Sequence, residues 1–517
     1  MRKCLTEEFS SIYIYHLKGN ARTQGEKRRK ERDNVFGIGS RAPVAIVFLV
    51  KNPNASERGE IYFHAVDDYL TREEKLAELK HNISILHTGP IEIVPDVHGD
   101  WLNQRDNSYS HFMRVDGKKT SEDSIFRNYS NGVKTNRDAW IYNSSRKRIK
   151  ENVDRMFETY NQQAKDFDAN SSDFEFVRDD TLIHWNRTLE NYFKRGVRNL
   201  KFDKRSRYRS IYQPFYPQYC YFNKYANDMT YQLPVLFPSS ETKNLAICSS
   251  GVGSKEYSCL MVDYIPCLDL LEKTQCFPRW LPGEKPNAEE ELDLGGETGG
   301  IPSGFSSEAL PHFQSAYPEK PITEDDLFYY IYGILHSEDY RTRYANNLMK
   351  ELPRIPRVAT YEQFLAFSKA GRDLAKLHVH FEEVTPYAGV TLEYAKSGQP
   401  SYRVKQMKWG KIAGKTGNAA KDKTTLIYND WITVKNIPLE AQEYIVNKKS
   451  ALDWVVERAC VSIDKASGIV NDFNDYAAKM ENERYPLDLF LRVITVSLET
   501  MKIVKALPKL EIHPLDK

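Results

Sequence analysis

No stretch of the 517 residues approaches the roughly 18–20 apolar positions that a membrane span needs. The opening Met1-Arg-Lys-Cys-Leu-Thr-Glu-Glu-Phe9 has a basic start but no apolar core behind it, so it does not read as a secretory signal. Cysteine is scarce, at seven, an odd number with no Cys-x-x-Cys pair. Cys220, Cys248, Cys259, Cys267 and Cys276 lack the spacing of a zinc site, so buried thiols in a reduced, cytoplasmic protein are expected and no metal site is. Neither sign of charge dominates. Lys and Arg number 73 against 71 Asp and Glu, so a polyanionic partner must be argued from local clustering.

Catalytic motifs are missing as well. There is no Gly-x-Ser-x-Gly elbow, no His-Glu-x-x-His and no nuclease carboxylate set. His378-Val-His380 lacks a third ligand nearby and reads as core or surface histidine. Phe36-Gly37-Ile38-Gly39 and Ser250-Gly251-Val252-Gly253 lack the third glycine of a dinucleotide loop. Gly410-Lys-Ile-Ala-Gly414-Lys415-Thr416 is one residue short of a P-loop and reads as a hairpin turn. No Asn/Asp-Pro-Pro-Tyr/Phe tetrapeptide occurs, nor a glycine-rich strand turn suited to S-adenosylmethionine, so no cofactor-binding residue is assigned.

What is abundant is aromatic: Tyr 32 and Phe 24 raise the aromatic share to 12%, which suits extensive, partly polar surfaces as well as cores. The first part of the chain reads as an α/β fragment. Ile12–Leu17 is a short strand, and Ala42–Val50 is an unbroken apolar run expected to be a central strand covered on both faces. Ile61–Val66 can be the next strand, and Thr71-Arg-Glu-Glu74 has capping-box spacing. Ser145 to Gln163 reads as a helix burying Ile149, Val153, Met156, Phe157 and Tyr160, with Arg146, Lys147, Arg148 and Lys150 elsewhere on its surface. The polar stretch 164–173 is taken as a domain joint. Beyond it the texture is irregular α+β, with a flexible acidic insertion at 282–304 and strong helices over 325–336 and 488–506.

Three basic clusters stand out. Arg22 precedes Lys27, Arg28, Arg29 and Lys30 in a loop between the first two strands, and Arg41 follows the Phe36–Ser40 turn. Lys201, Lys204, Arg205, Arg207 and Arg209 interleave with Phe202 and Tyr208. Arg403 to Lys423 holds seven cations against one Asp, among them Lys405, Lys408, Lys411 and Lys415. A charge run is usually a solvated face, but three on a chain of net +2 favour a segregated polyanion-binding surface.

The segments Leu17–Thr23, Phe36–Ile46, Leu49–Pro53, His98–Arg105, Tyr219–Asn223, Phe328–Ser337, Asp464–Asp472 and Arg492–Thr500 resemble the type ISP restriction–modification enzymes. In that family one polypeptide carries a nuclease, a helicase-like ATPase, an adenine N6-methyltransferase and a C-terminal target recognition domain. The resemblance implies a partial Rossmann-like methyltransferase sheet over residues 1–165 and an irregular α+β target recognition domain over 174–517. It implies double-stranded DNA as partner, contacted by the three basic clusters, and Phe36 as the residue stacking on a target base. Against that role for Phe36 stands a core aromatic at a strand entrance. The chain lacks the family's cofactor loop and its Asn-Pro-Pro-Tyr motif. It is therefore expected to be inactive alone, with S-adenosylmethionine belonging to the complete enzyme, and to come from a truncated gene, a misplaced start or a split enzyme. The alternatives are one half of a split adenine methyltransferase that works with an upstream chain carrying the nuclease, helicase and catalytic parts, and an inactive interaction remnant.

Overall fold

The computed structural model describes residues 1–23, 25–117, 123–172, 174–284, 300–415 and 421–516. The acidic insertion expected at 282–304 therefore lies mostly outside the described residues. Two compact units divide between Asn107 and Ser108. The polar stretch 164–173 is not that division: most of it closes a long helix inside the second unit, whose apolar face is buried there.

In the first unit, β1 (Ser11–Lys18) pairs antiparallel with β2 (Val44–Val50) and parallel with β3 (Glu60–Ala65), and β4 (Ile91–Glu92) closes the order β2-β1-β3-β4. The central place falls to β1, which buries Ile12, Tyr15 and Leu17. This corrects the reading of Ala42–Val50 as a strand covered on both sides. β2 is an edge, and Val47, Phe48, Leu49 and Val50 remain 41–53% exposed. An unbroken apolar run records that the residues suit cover, without saying whether the cover comes from this unit. Helix α1 (Gly25–Glu31) lies between β1 and β2 in sequence. Helix α2 (Arg72–His81) opens with the expected capping box, the Thr71 side chain accepting from Glu74 N and the Glu74 carboxylate accepting from Thr71 N at 2.7 Å.

The second unit is mixed α/β with several small sheets. In one, Ile265–Pro266 flanks β6 (Arg207–Gln213), which pairs with β7 (Tyr216–Tyr221) and then β5 (Tyr142–Asn143). Helix α3 (Arg146–Ala169) buries Ile149, Val153, Met156, Phe157 and Tyr160, the face its spacing foretold. A second sheet joins Cys259–Val262, Ala246–Ser249, Gln275–Pro278 and Ser130–Asn131. A third contains the hairpin of β8 (Lys408–Lys411) and β9 (Lys421–Ile427), so Gly410–Lys415 begins a hairpin connection, as read, with Thr416 outside the described residues. Two helices, α4 (Glu324–His336) and α5 (Tyr361–Val379), cross at reciprocal glycines: a Cβ on Gly333 would stand 2.2 Å from Phe367 O, and one on Gly371 would stand 1.8 Å from Tyr329 O. His378 is buried between Tyr332 OH at 2.6 Å and Thr500 Oγ1 at 2.9 Å, while His380 is exposed. The chain ends with a hairpin of β10 (Val461–Ile463) and β11 (Val470–Asp472), then α6 (Phe473–Lys479) and α7 (Tyr485–Lys505). All seven cysteines are free thiols. Among the described residues no helix is long and apolar enough to cross a membrane.

Candidate nucleic-acid interface

The start of α3 is pinned before its cations emerge. Asn143 and Cys-paired Tyr142 lie on β5 beside Tyr219 and Cys220 of β7. The Asn143 side chain accepts from Ser145 N at 2.9 Å, and Ser145 caps the helix by accepting from Arg148 N. With the apolar face committed to the core, Arg146, Lys147 and Lys150 are left on the outside. The Arg146 guanidinium lies over the Tyr219 ring at 4.6 Å. Arg207, at the start of β6, donates from Nη1 to Arg146 O at 3.4 Å. Burial and the neighbouring Arg146 charge hold the Arg207 guanidinium below its ordinary pKa. Neither arginine has an acidic partner among the described residues. Two adjacent cations without a counter-charge repel each other, and an arriving anion relieves that repulsion.

The β10–β11 hairpin docks directly against this corner. Asn143 Nδ2 donates to Val470 O at 3.0 Å, Ser144 N donates to Asn471 Oδ1 at 2.8 Å, and Asn471 Nδ2 reaches Tyr216 OH at 3.2 Å. On its other side, Val461 N donates to Lys405 O at 2.9 Å and Val404 N to Asn474 Oδ1 at 3.0 Å, while Arg403 pairs with Asp472. The hairpin thus gathers parts of two basic clusters that are distant in sequence, around Arg207 and around Lys405. Its turn is tightly tied. Asp464 accepts from Ser467 N at 2.8 Å and Ser467 Oγ at 2.6 Å, which holds its carboxyl below the usual range, and Gly468 takes a left-handed φ of 68°. Ser467 and Ile469 are buried, whereas Ser462 through Ala466 are exposed, Ile463 to 63%. Clefts of about 400 Å³ and 290 Å³ flank the turn, sharing Asp138 and Asp464 in their walls.

The remaining sequence candidates distribute as follows. Lys201, Lys204, Lys405, Lys408, Lys411 and Lys415 are exposed. Arg205 is 91% exposed although it pairs with Asp203 at 3.1 Å. Arg209 is spent internally: it pairs with Glu382, donates to Tyr264 OH and lies 4.2 Å over the Tyr264 ring. In the first unit, α1 carries Lys27, Arg28, Arg29 and Lys30, with Lys30 3.3 Å from Asp68 and Arg28 donating to Arg32 O. Arg22 and Arg41 are exposed beside the same loop, linked through Ala21 N to Arg41 O at 3.0 Å. Buried Asn34 clamps that loop by donating to Ala42 O at 2.7 Å and accepting from Phe36 N at 2.9 Å. Phe36 projects from the clamp, 73% exposed, with Ile38 fully exposed two residues on. The alternative of a core aromatic at position 36 is contradicted. The sequence candidates did not include Arg146, Lys147, Lys150 or Lys465, all exposed, of which Lys147 pairs with Glu151 and Lys150 with Asp154. The helix-start cations were visible as a charged face, but only the fold shows what they adjoin.

The described residues contain no group of three or more His, Cys, Asp or Glu placed to hold a metal ion. No curated protein matches the chain. Solved structures do. A nuclease-deletion mutant of the Type ISP restriction–modification enzyme LlaGI, in complex with a DNA substrate mimic, is 34% identical with a TM-score of 0.82, over 99% of this chain and 45% of that one. The ATP-dependent Type ISP enzyme LlaBIII bound to DNA is 32% identical with a TM-score of 0.83, over 99% of this chain and 32% of that one. A DrdV–DNA complex is 32% identical with a TM-score of 0.80, over 98% and 48%. The chain therefore spans less than half the length of each of these relatives. Residues 124–489 match the Type ISP C-terminal specificity domain, and the chain belongs to that family.

Proposed function

We propose that this chain is the part of a type ISP restriction–modification enzyme that recognises its target sequence in double-stranded DNA. The observation that carries the reading is the adjacent pair of guanidiniums, Arg146 and Arg207, which have no acidic partner among the described residues and lie within the region matching the specificity domain. Three relatives solved with DNA or a DNA mimic support it. Lys204, Arg205, Lys405 and the β8–β9 lysines add phosphate contacts that position the duplex without reading it. The test is a salt titration of duplex binding by the full chain. Affinity should fall linearly on a log–log scale, with a slope of about 0.9 per phosphate neutralised. A well-folded chain that retains no duplex at low ionic strength overturns the proposal.

A second reading concerns the first unit, which we take as the end of an adenine N6-methyltransferase sheet of Rossmann-like type. Exposed Phe36 on its clamped loop suits stacking on an extruded adenine, and Lys27, Arg28, Arg29, Lys30, Arg22 and Arg41 suit the phosphates beside it. The exposed apolar edge of β2 favours a further strand supplied by polypeptide outside this chain. S-adenosylmethionine would then belong to the complete enzyme, because the sequence holds neither the family's cofactor loop nor its Asn-Pro-Pro-Tyr motif. Methyl transfer by this chain alone should read zero, and activity without another polypeptide would contradict the assignment. A reduced, cytoplasmic setting accords with the seven free thiols.

A further inference from the structure

We infer that the β10–β11 hairpin is the element that enters the major groove and reads base edges. The inference rests on the DNA-recognition reading above and assigns the reading within it to one piece of backbone. A two-stranded ribbon is one of the shapes the major groove admits. One side of this ribbon is open: Ser462–Ala466, along β10 and into the turn, are exposed, while Ser467 and Ile469 on the far side of the turn are covered. Its turn is fixed by the Asp464–Ser467 bonds and its base by the bonds to Asn143, Ser144 and Tyr216, so little order has to be imposed on binding.

Exposed Lys405 adjoins β10 through the Val461–Lys405 bond, and Ser144, which bonds Asn471 of β11, precedes exposed Arg146 by two residues in the chain. The exposed side chains have mixed chemistry. Lys465 can donate to guanine O6 and N7, Ser462 can donate or accept, and Ile463 can meet a thymine methyl. Asp464 is taken by Ser467 and is not a reader. The β8–β9 hairpin, by contrast, offers mainly lysines, which suit phosphates.

The test is selection by the full chain from a pool of random-sequence duplexes, followed by sequencing. The wild type should enrich a motif. A Ser462→Ala, Ile463→Ala, Lys465→Ala triple variant should lose about tenfold of the preference at neighbouring positions while binding random duplex within about twofold of wild type. An Arg146→Ala, Arg207→Ala variant should weaken binding to every duplex and enrich the same motif. A second measurement needs no loss of function: Lys465→Cys should form a disulfide with a thiol-tethered cytosine in the major groove of the enriched duplex, above the wild-type background. The inference is overturned if the triple variant enriches the wild-type motif at wild-type strength, or if Lys465→Cys captures no more than wild type. A wild-type chain that binds no duplex overturns the recognition reading itself.

Discussion

Individual side chains divide here into those committed to the fold and those left for a partner. Arg209 and Arg207 lie two residues apart on one strand, yet Arg209 is neutralised by Glu382 while Arg207 donates to Arg146 O and has no acidic partner among the described residues. Replacing Arg146 and Arg207 by alanine should lower the salt slope of duplex binding by about two and leave the melting temperature nearly unchanged. Replacing Arg209 should instead destabilise the chain, because it strands Glu382 with Tyr485 and Tyr476 in a half-buried polar junction. His378 makes a pH prediction. Burial lowers its pKa from 6.5 to about 3, so between these values the unfolded chain binds a proton that the native one refuses. Stability from this group is fully present above pH 6.5 and falls as the pH drops below it, by about 1.4 kcal/mol per pH unit. Denaturant unfolding at pH 7.5 and 5.5 should show that loss in wild type, and a smaller one in His378→Gln. Equal losses in the two proteins would contradict it.

Elements that follow local rules were legible before any fold was known. The capping box of α2, the buried face of α3 and the β8–β9 hairpin each depend on residues within one or two turns of each other. Pairings across the chain were not. Arg207 meets Arg146 from 61 residues away, and Val461 bonds Lys405 from a different strand system; nothing in either segment announces the other. The apolar run of β2 misled for a related reason, since hydrophobicity states a preference for cover and not its source. Gly333 and Gly371 belong to the same class. Neither looks special in its own helix, yet each leaves to the facing backbone the space that a Cβ would occupy. Gly371→Ala should therefore force α4 and α5 apart and cost about 1–3 kcal/mol, read as a lower denaturation midpoint. An unchanged midpoint would mean that the helices slide without penalty.

For the whole molecule, the division between Asn107 and Ser108 has a direct consequence. Limited proteolysis should release a stable fragment that begins near residue 108 and retains α3, because Ile149, Val153 and Met156 are fully buried in the second unit. A stable fragment beginning near residue 174 would restore the boundary that the polar stretch suggested. The resemblance seen in scattered segments extends over 98–99% of the chain in solved relatives, so family was readable from sequence where the site was not. The central claim is that the chain distinguishes one duplex sequence from another. Its most direct test is the ratio of affinities for a selected and a random duplex at one fixed, near-physiological salt concentration. A ratio of about 10³ or more is expected. A ratio of one, with both duplexes bound, would contradict it.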